Sequence, residues 1–100
     1  MGRQAERVYS DPATIQRFEA LVATLQNGAQ VRLRLVDGDA CEGVVSERPT
    51  LQQFYDGDGN EGTHGVVRLE RAGVSDWHRF IWFDQIAEVE HHDADADRRA

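Results

Sequence analysis

The sequence predicts a mainly β fold: an N-terminal α-helix followed by a five-stranded, strongly bent antiparallel sheet that closes into a small barrel. Three observations carry this. One stretch with three- and four-residue apolar steps, 12–26, precedes everything else. Period-two alternation takes over from about residue 30 and recurs in short runs to about residue 90. Turn residues punctuate those runs, and Gly43 falls inside one of them. Closure removes exposed sheet edges, which short bent strands would otherwise leave open. An open sheet with the helix on one face is the competing architecture.

The elements follow in order. Residues 1–9 form a polar lead-in. Asp11 precedes Pro12, so Asp11 caps free N–H groups while Pro12 takes the first helical position. Ile15, Phe18, Leu21, Val22 and Leu25 build one apolar stripe, and Asn27-Gly28 ends the helix. Val31, Leu33 and Leu35 then alternate with Gln30, Arg32 and Arg34, a half-buried strand with a polar outer face. Asp37-Gly38 is a hairpin turn signal, and a second strand runs through Cys41, Gly43, Val44 and Val45 to an end at Pro49. Gly43 suggests a bulge or sharp bend. Residues 54–65 hold four glycines and three acids and read as a mobile surface loop. Val66 to Glu70, Trp77 to Phe83 and Ile86 to Val89 give the last three strands. The tail 91–100 reads as disordered. A single domain, 1–100, accounts for the chain.

Composition narrows the function classes. Eleven Arg, no Lys and eighteen acids give a net charge of −7. Nucleic-acid affinity is dominated by phosphate contacts, which favour a basic footprint, so this balance argues against wholesale nucleic-acid binding. Residues 1–50 carry six Arg against seven acids, residues 51–100 five against eleven. The negative charge therefore sits mainly in the 54–65 loop and the tail, outside the strands. No apolar run of 18 or more exists and no basic start leads into an apolar core, so a cytoplasmic location away from membranes is expected.

Segment 31–45 resembles the first motif of the Sm-like family, which includes the spliceosomal Sm proteins and a related bacterial RNA chaperone. The matching residues are Leu33, Leu35, Gly38, Cys41, Gly43 and Val45. The run Ile81-Trp82-Phe83-Asp84-Gln85-Ile86 followed by Val89 is similar to the second motif. The resemblance spans residues 12–90, and the whole chain is similar to a small proteobacterial family grouped with Sm-like folds. It implies a small barrel and self-association through the late strands, typically the fourth against the fifth. It also implies RNA as a partner. The residues that would carry RNA recognition differ: Pro49 and Gln53 stand where RNA-binding members have Asp and Asn, and Trp82-Phe83 where they have Arg-Gly.

The chemistry-bearing residues give no catalytic pattern, and no cofactor, metal site or enzyme activity is expected. Asp56, Asp58 and Asn60 match three positions of a calcium loop, but Glu61 and Val67 stand where Gly and a bidentate Glu are needed, so a solvated loop is expected. His91, His92 and Asp95 could share a metal face only if the terminal segment were ordered, and a solvated tail is expected. Cys41 occupies an apolar strand position and is expected to be buried and inert. Ser10, Ser46 and Ser75 lack triad spacing.

Two surfaces remain. Phe80, Ile81, Trp82 and Phe83 are consecutive, so alternation sends Ile81 and Phe83 to one face and Phe80 and Trp82 to the other. Both faces need cover, and Phe80, Trp82 and Phe83 are the interface candidates for self-association. Arg32 and Arg34 share the outer face of the first strand, where pairing with Glu42 or Glu47 is expected. With Gln53, Phe54 and Tyr55 they form the candidate set for the alternative function, RNA contact. The favoured reading is a non-catalytic, self-associating binding or scaffold module.

Overall fold

The computed structural model describes residues 3–71 and 73–91. Its elements are β1 (Arg3–Gln4), α1 (Pro12–Thr24), β2 (Gln30–Leu35), β3 (Ala40–Val45), β4 (Gln52–Tyr55), β5 (Glu61–His64), β6 (Val66–Arg71), β7 (Val74–Trp82) and β8 (Ile86–His91), with a single 3-10 turn, Phe83–Gln85, before β8.

The helix begins where the sequence places it. Asp11 is extended, and its carboxylate accepts the Thr14 N–H at 3.0 Å. The helix stops at Thr24, two residues short of the expected end, and Gly28 takes a φ of +82° in the turn that follows. From there Gly28 N–H reaches the Val45 carbonyl at 2.8 Å, which ties the helix exit to the end of β3. Phe18 and Leu25 are fully buried from the stripe, with Leu21 and Val22 packed beside them.

The five strands that alternation marks out are those of one antiparallel sheet, in the order β7-β6-β3-β2-β8. The β2–β3 turn is the expected one at Asp37-Gly38. Gly38 adopts φ +96°, and Asp37 Oδ1 accepts the Asp39 N–H at 2.9 Å. Val31, Leu33, Leu35, Cys41, Val45, Val67, Leu69, Ile81 and Ile86 send their side chains into one core with Phe18, Leu25 and Phe83.

The expected barrel does not close. Among the described residues β7 and β8 stand at opposite ends of the sheet, each hydrogen-bonded to one neighbour. The core takes Phe18 and Leu25 from α1, and the chain adds a second, three-stranded sheet, β1-β4-β5, whose buried Phe54 and His64 meet Trp82 and Phe18. With α1 in place, burial of the apolar face no longer requires β7 to pair with β8.

The second sheet corrects the reading of 54–65 as a mobile loop. Gln52–Tyr55 and Glu61–His64 pair antiparallel, and the turn between them is built on Asp56. Asp56 Oδ1 accepts N–H groups of Asp58 and Asn60, each at 2.9 Å. The polar lead-in is also structured. Arg3–Gln4 pair in parallel with Phe54–Tyr55, and Tyr9 exchanges two backbone hydrogen bonds with Thr63 on the far edge of β5. The amino-terminal segment is thus a strap from one edge of the small sheet to the other.

The chain passes between the sheets at three places: residues 5–29, which include α1, residues 46–51, and the single residue Gly65. Gly65 is required there by contact: a Cβ would lie 2.7 Å from the Phe83 ring. Gly43 has a similar cause. It pairs in regular register with Val31, without the expected bulge, but a Cβ would meet the Glu70 carbonyl oxygen at 2.8 Å. The expected tail begins one residue late, since His91 ends β8, and the rest of it lies outside the described residues.

Candidate functional site

The outer face of the β6–β7 ladder carries an exposed aromatic side chain, Phe80. Register places Val66 opposite Trp82, Arg68 opposite Phe80 and Glu70 opposite His78. Phe80 is 57 % exposed. It forms one wall of a groove of about 470 Å³, whose other side is the β3–β4 connection with Ser46, Arg48 and Thr50. The Arg68 guanidinium sits 5.9 Å from the Phe80 ring centre and 3.3 Å from the Glu70 carboxylate. Alternation is as the sequence indicates: Ile81 and Phe83 turn inward, Phe80 and Trp82 outward. Of the three interface candidates, Phe80 is on the surface and Trp82 is half-buried. Phe83 is fully buried against Phe18, which removes it from any docking surface.

The RNA-contact candidates are not brought together. Arg32 and Arg34 lie on β2, separated from β7 by β3 and β6. Both face carboxylates. Arg34 meets Glu88 at 3.1 Å, and Arg32 lies 3.7 Å from Glu42 and 3.9 Å from Glu90. Glu42 was an expected partner; the two β8 acids were not, because sequence order does not show that β8 joins β2. Gln53, Phe54 and Tyr55 lie on β4 in the other sheet. Gln53 donates to Thr63 Oγ1 at 3.1 Å, Tyr55 is exposed, and Phe54 is buried with its ring 5.2 Å from that of Trp82. Burial takes Phe54 out of reach of a stacked base.

The most organised polar cluster is one the sequence reading missed. His64 is 1 % exposed at the end of β5, walled by aromatic rings from three elements and from Tyr9 of the amino-terminal strap. Phe18 of α1 stacks on it, Trp82 of β7 lies 4.8 Å away, and Tyr9 and Phe54 present their edges. Its Nδ1 accepts the Gly65 N–H at 2.9 Å, which assigns the ring proton to Nε2. Nε2 lies 3.3 Å from Asp84 Oδ2, and the Tyr9 hydroxyl donates to the same oxygen at 2.9 Å. Burial pushes the imidazole below its ordinary range, and the Asp84 carboxylate opposes this. Burial and the same carboxylate push the Tyr9 hydroxyl up. The His64–Asp84 pair borders a cavity of about 260 Å³, which it lines together with Glu6, Arg7, Val36, Trp82 and Gln85. Only the pairing of β5 reveals His64 as a core residue, and the Gly-rich composition around it hides that strand.

The remaining candidates are quickly placed. Cys41 is buried at 3 % exposure, as expected. The Asp56 carboxylate is taken up by its own turn, and the Asn60 backbone N–H holds it below the usual carboxylate range. His91 Nε2 lies 3.2 Å from the Thr24 carbonyl oxygen, joining β8 to the end of α1. His92 and Asp95 lie outside the described residues. No helix among the described residues is long and apolar enough to cross a membrane.

Comparison with known proteins places this architecture. The crystal structure of XC5848 from Xanthomonas campestris, described as adopting a novel variant of Sm-like motif, matches with a TM-score of 0.86 at 33 % identity. The match covers 93 % of this chain and 100 % of that one. No curated protein matches the chain. The family model for a domain of unknown function, DUF3247, matches residues 2–92. The chain has an Sm-like fold and belongs to the DUF3247 family.

Proposed function

We propose that the chain is a non-catalytic Sm-like module that assembles with copies of itself through the free edges of β7 and β8. The observation that carries this reading is the open sheet. Among the described residues its two end strands, β7 and β8, each pair with one neighbour only and stand at opposite ends of the sheet, and such edges template pairing with another chain. An edge of one copy can take the opposite edge of the next, a head-to-tail contact that forms rings where the rotation closes. Phe80, exposed on β7, supplies apolar area beside that seam.

The non-catalytic part rests on the chemistry at hand. Both ring nitrogens of His64 are committed within the fold, and Cys41 is buried. A general base or nucleophile needs a free, accessible atom.

The test is light scattering on the native chain and on Phe80→Asp. Phe80 fills no core space, so the variant is expected to keep its fold by circular dichroism and to lose assembly mass. An unchanged mass in a folded Phe80→Asp would remove the Phe80 face from the interface.

A further inference from the structure

His64 occupies a mechanical position as well as a chemical one. It is the last residue of β5, and Gly65, the next residue, is the only one between β5 and β6. Both backbone groups of Gly65 are engaged at this junction. Its N–H donates to His64 Nδ1 at 2.9 Å, and its carbonyl accepts the Phe83 N–H at 2.9 Å. The Gly65 passage, one of three between the sheets, therefore includes an imidazole nitrogen that must remain an unprotonated acceptor. We infer that His64 is an acid-sensitive latch: protonating its ring opens the junction between the small and the large sheet while the large sheet stays folded.

The geometry dictates the direction. A proton on Nδ1 turns the acceptor into a donor facing the Gly65 donor, and that hydrogen bond is lost. The ring cannot rotate to exchange its nitrogens freely, because Phe18 is stacked on it with 4° between planes and Trp82, Tyr9 and Phe54 close the other sides. The groups that face it are named by element. Asp84, in the 3-10 turn, favours the imidazolium; Tyr9, from the strap, is neutral and already bonded to Asp84. Glu6 and Arg7, also from the strap, line the same cavity with opposite charges. α1, β4 and β7 contribute the rings of Phe18, Phe54 and Trp82. Burial outweighs the Asp84 carboxylate, so the neutral ring is the native form. The attachments that hold the small sheet at this corner, including the Tyr9–Thr63 bridge one residue before His64, are released together. The latch acts within one copy and is independent of the self-association reading.

Amide hydrogen exchange by NMR on the full chain tests it, with protection factors corrected for intrinsic pH dependence. Between the ordinary imidazole value of 6.5 and the lower folded value, protection at Gly65 and Thr63 is expected to fall by up to roughly tenfold per pH unit, the slope of one proton, and to level off below the folded value. Leu33 in the large sheet is expected to keep its protection over the same range. Gly65 protection that does not change with pH, or Gly65 and Leu33 losing protection together, would overturn the latch. His64→Asn keeps an acceptor oxygen at the Nδ1 position and cannot titrate. Its Gly65 protection is expected to be flat over that range, and a native-like pH profile in this variant would also overturn the proposal. If His64→Asn does not fold, the native exchange profile decides alone.

Discussion

Phe18 and His64 lie face to face, with 4° between ring planes and 5.3 Å between centroids. This single stack joins the helix to the small sheet. Phe18 also meets the edge of Phe83, whose backbone N–H is bonded to Gly65. One helical side chain thus touches the small sheet and the 3-10 turn after β7, beside the Gly65 passage between the sheets.

Phe18→Ala is expected to destabilise the fold by about 3–5 kcal/mol, since it empties a fully buried site that three other aromatic rings cannot collapse to fill. Urea unfolding followed by circular dichroism measures this. A loss below about 1 kcal/mol, the size of a surface change, would contradict this packing.

Gly65→Ala places a methyl 2.7 Å from two carbons of the Phe83 ring, which is itself fully buried. Neither the ring nor the one-residue junction has space to give. A cost of about 1–3 kcal/mol is expected from this overpacking, read as a lower midpoint in thermal or urea unfolding.

Stability is expected to form a plateau in pH. The folded state holds the His64 imidazole below its ordinary value of 6.5, so the unfolded chain binds the extra proton first. The stabilisation is complete above 6.5 and is lost as pH falls through the folded value. Tyr9 acts in the opposite sense: its folded value is raised above 10.0, so stability falls as pH climbs past 10.0. Asp11 and Asp56, both held below 3.8, add a second acid-side loss only at still lower pH. Thermal midpoints from pH 3 to 11 check the order of these windows, and His64→Asn is expected to lack the first.

The Arg34–Glu88 pair at 3.1 Å joins β2 to β8 on an exposed surface. Arg34→Ala is expected to cost roughly 0.2–1 kcal/mol, the range for solvated ion pairs, and less in high salt. Denaturant unfolding at low and high salt reads both effects.

The helix and the large sheet were legible because their signals are local. Asp11-Pro12 marks a cap, Asp37-Gly38 marks a turn, and alternation in Val31, Leu33 and Leu35 marks a buried face. The small sheet was not legible because its signals are tertiary. Gly62 and Gly65 look like loop residues, yet each is a glycine because another segment lies against it: Val8 and Tyr9 in one case, Phe83 in the other. With that sheet hidden, His64 had no visible neighbours. Barrel closure failed as an inference for the same reason. The apolar face had to be covered, and sequence order did not show that α1 would cover it while β4 and β5 formed a separate sheet. On β7, alternation found the correct faces for Phe80 and Trp82 and the correct inward turn for Phe83. It did not show that burial takes Phe83 out of an interface.

The account rests most on the open edges of β7 and β8, and the mass of the native chain in solution tests them most directly. Light scattering coupled to size exclusion, over a range of concentrations, is expected to give a multiple of the 11.3 kDa chain mass. A mass of 11.3 kDa that holds at the highest concentration would contradict assembly through those edges.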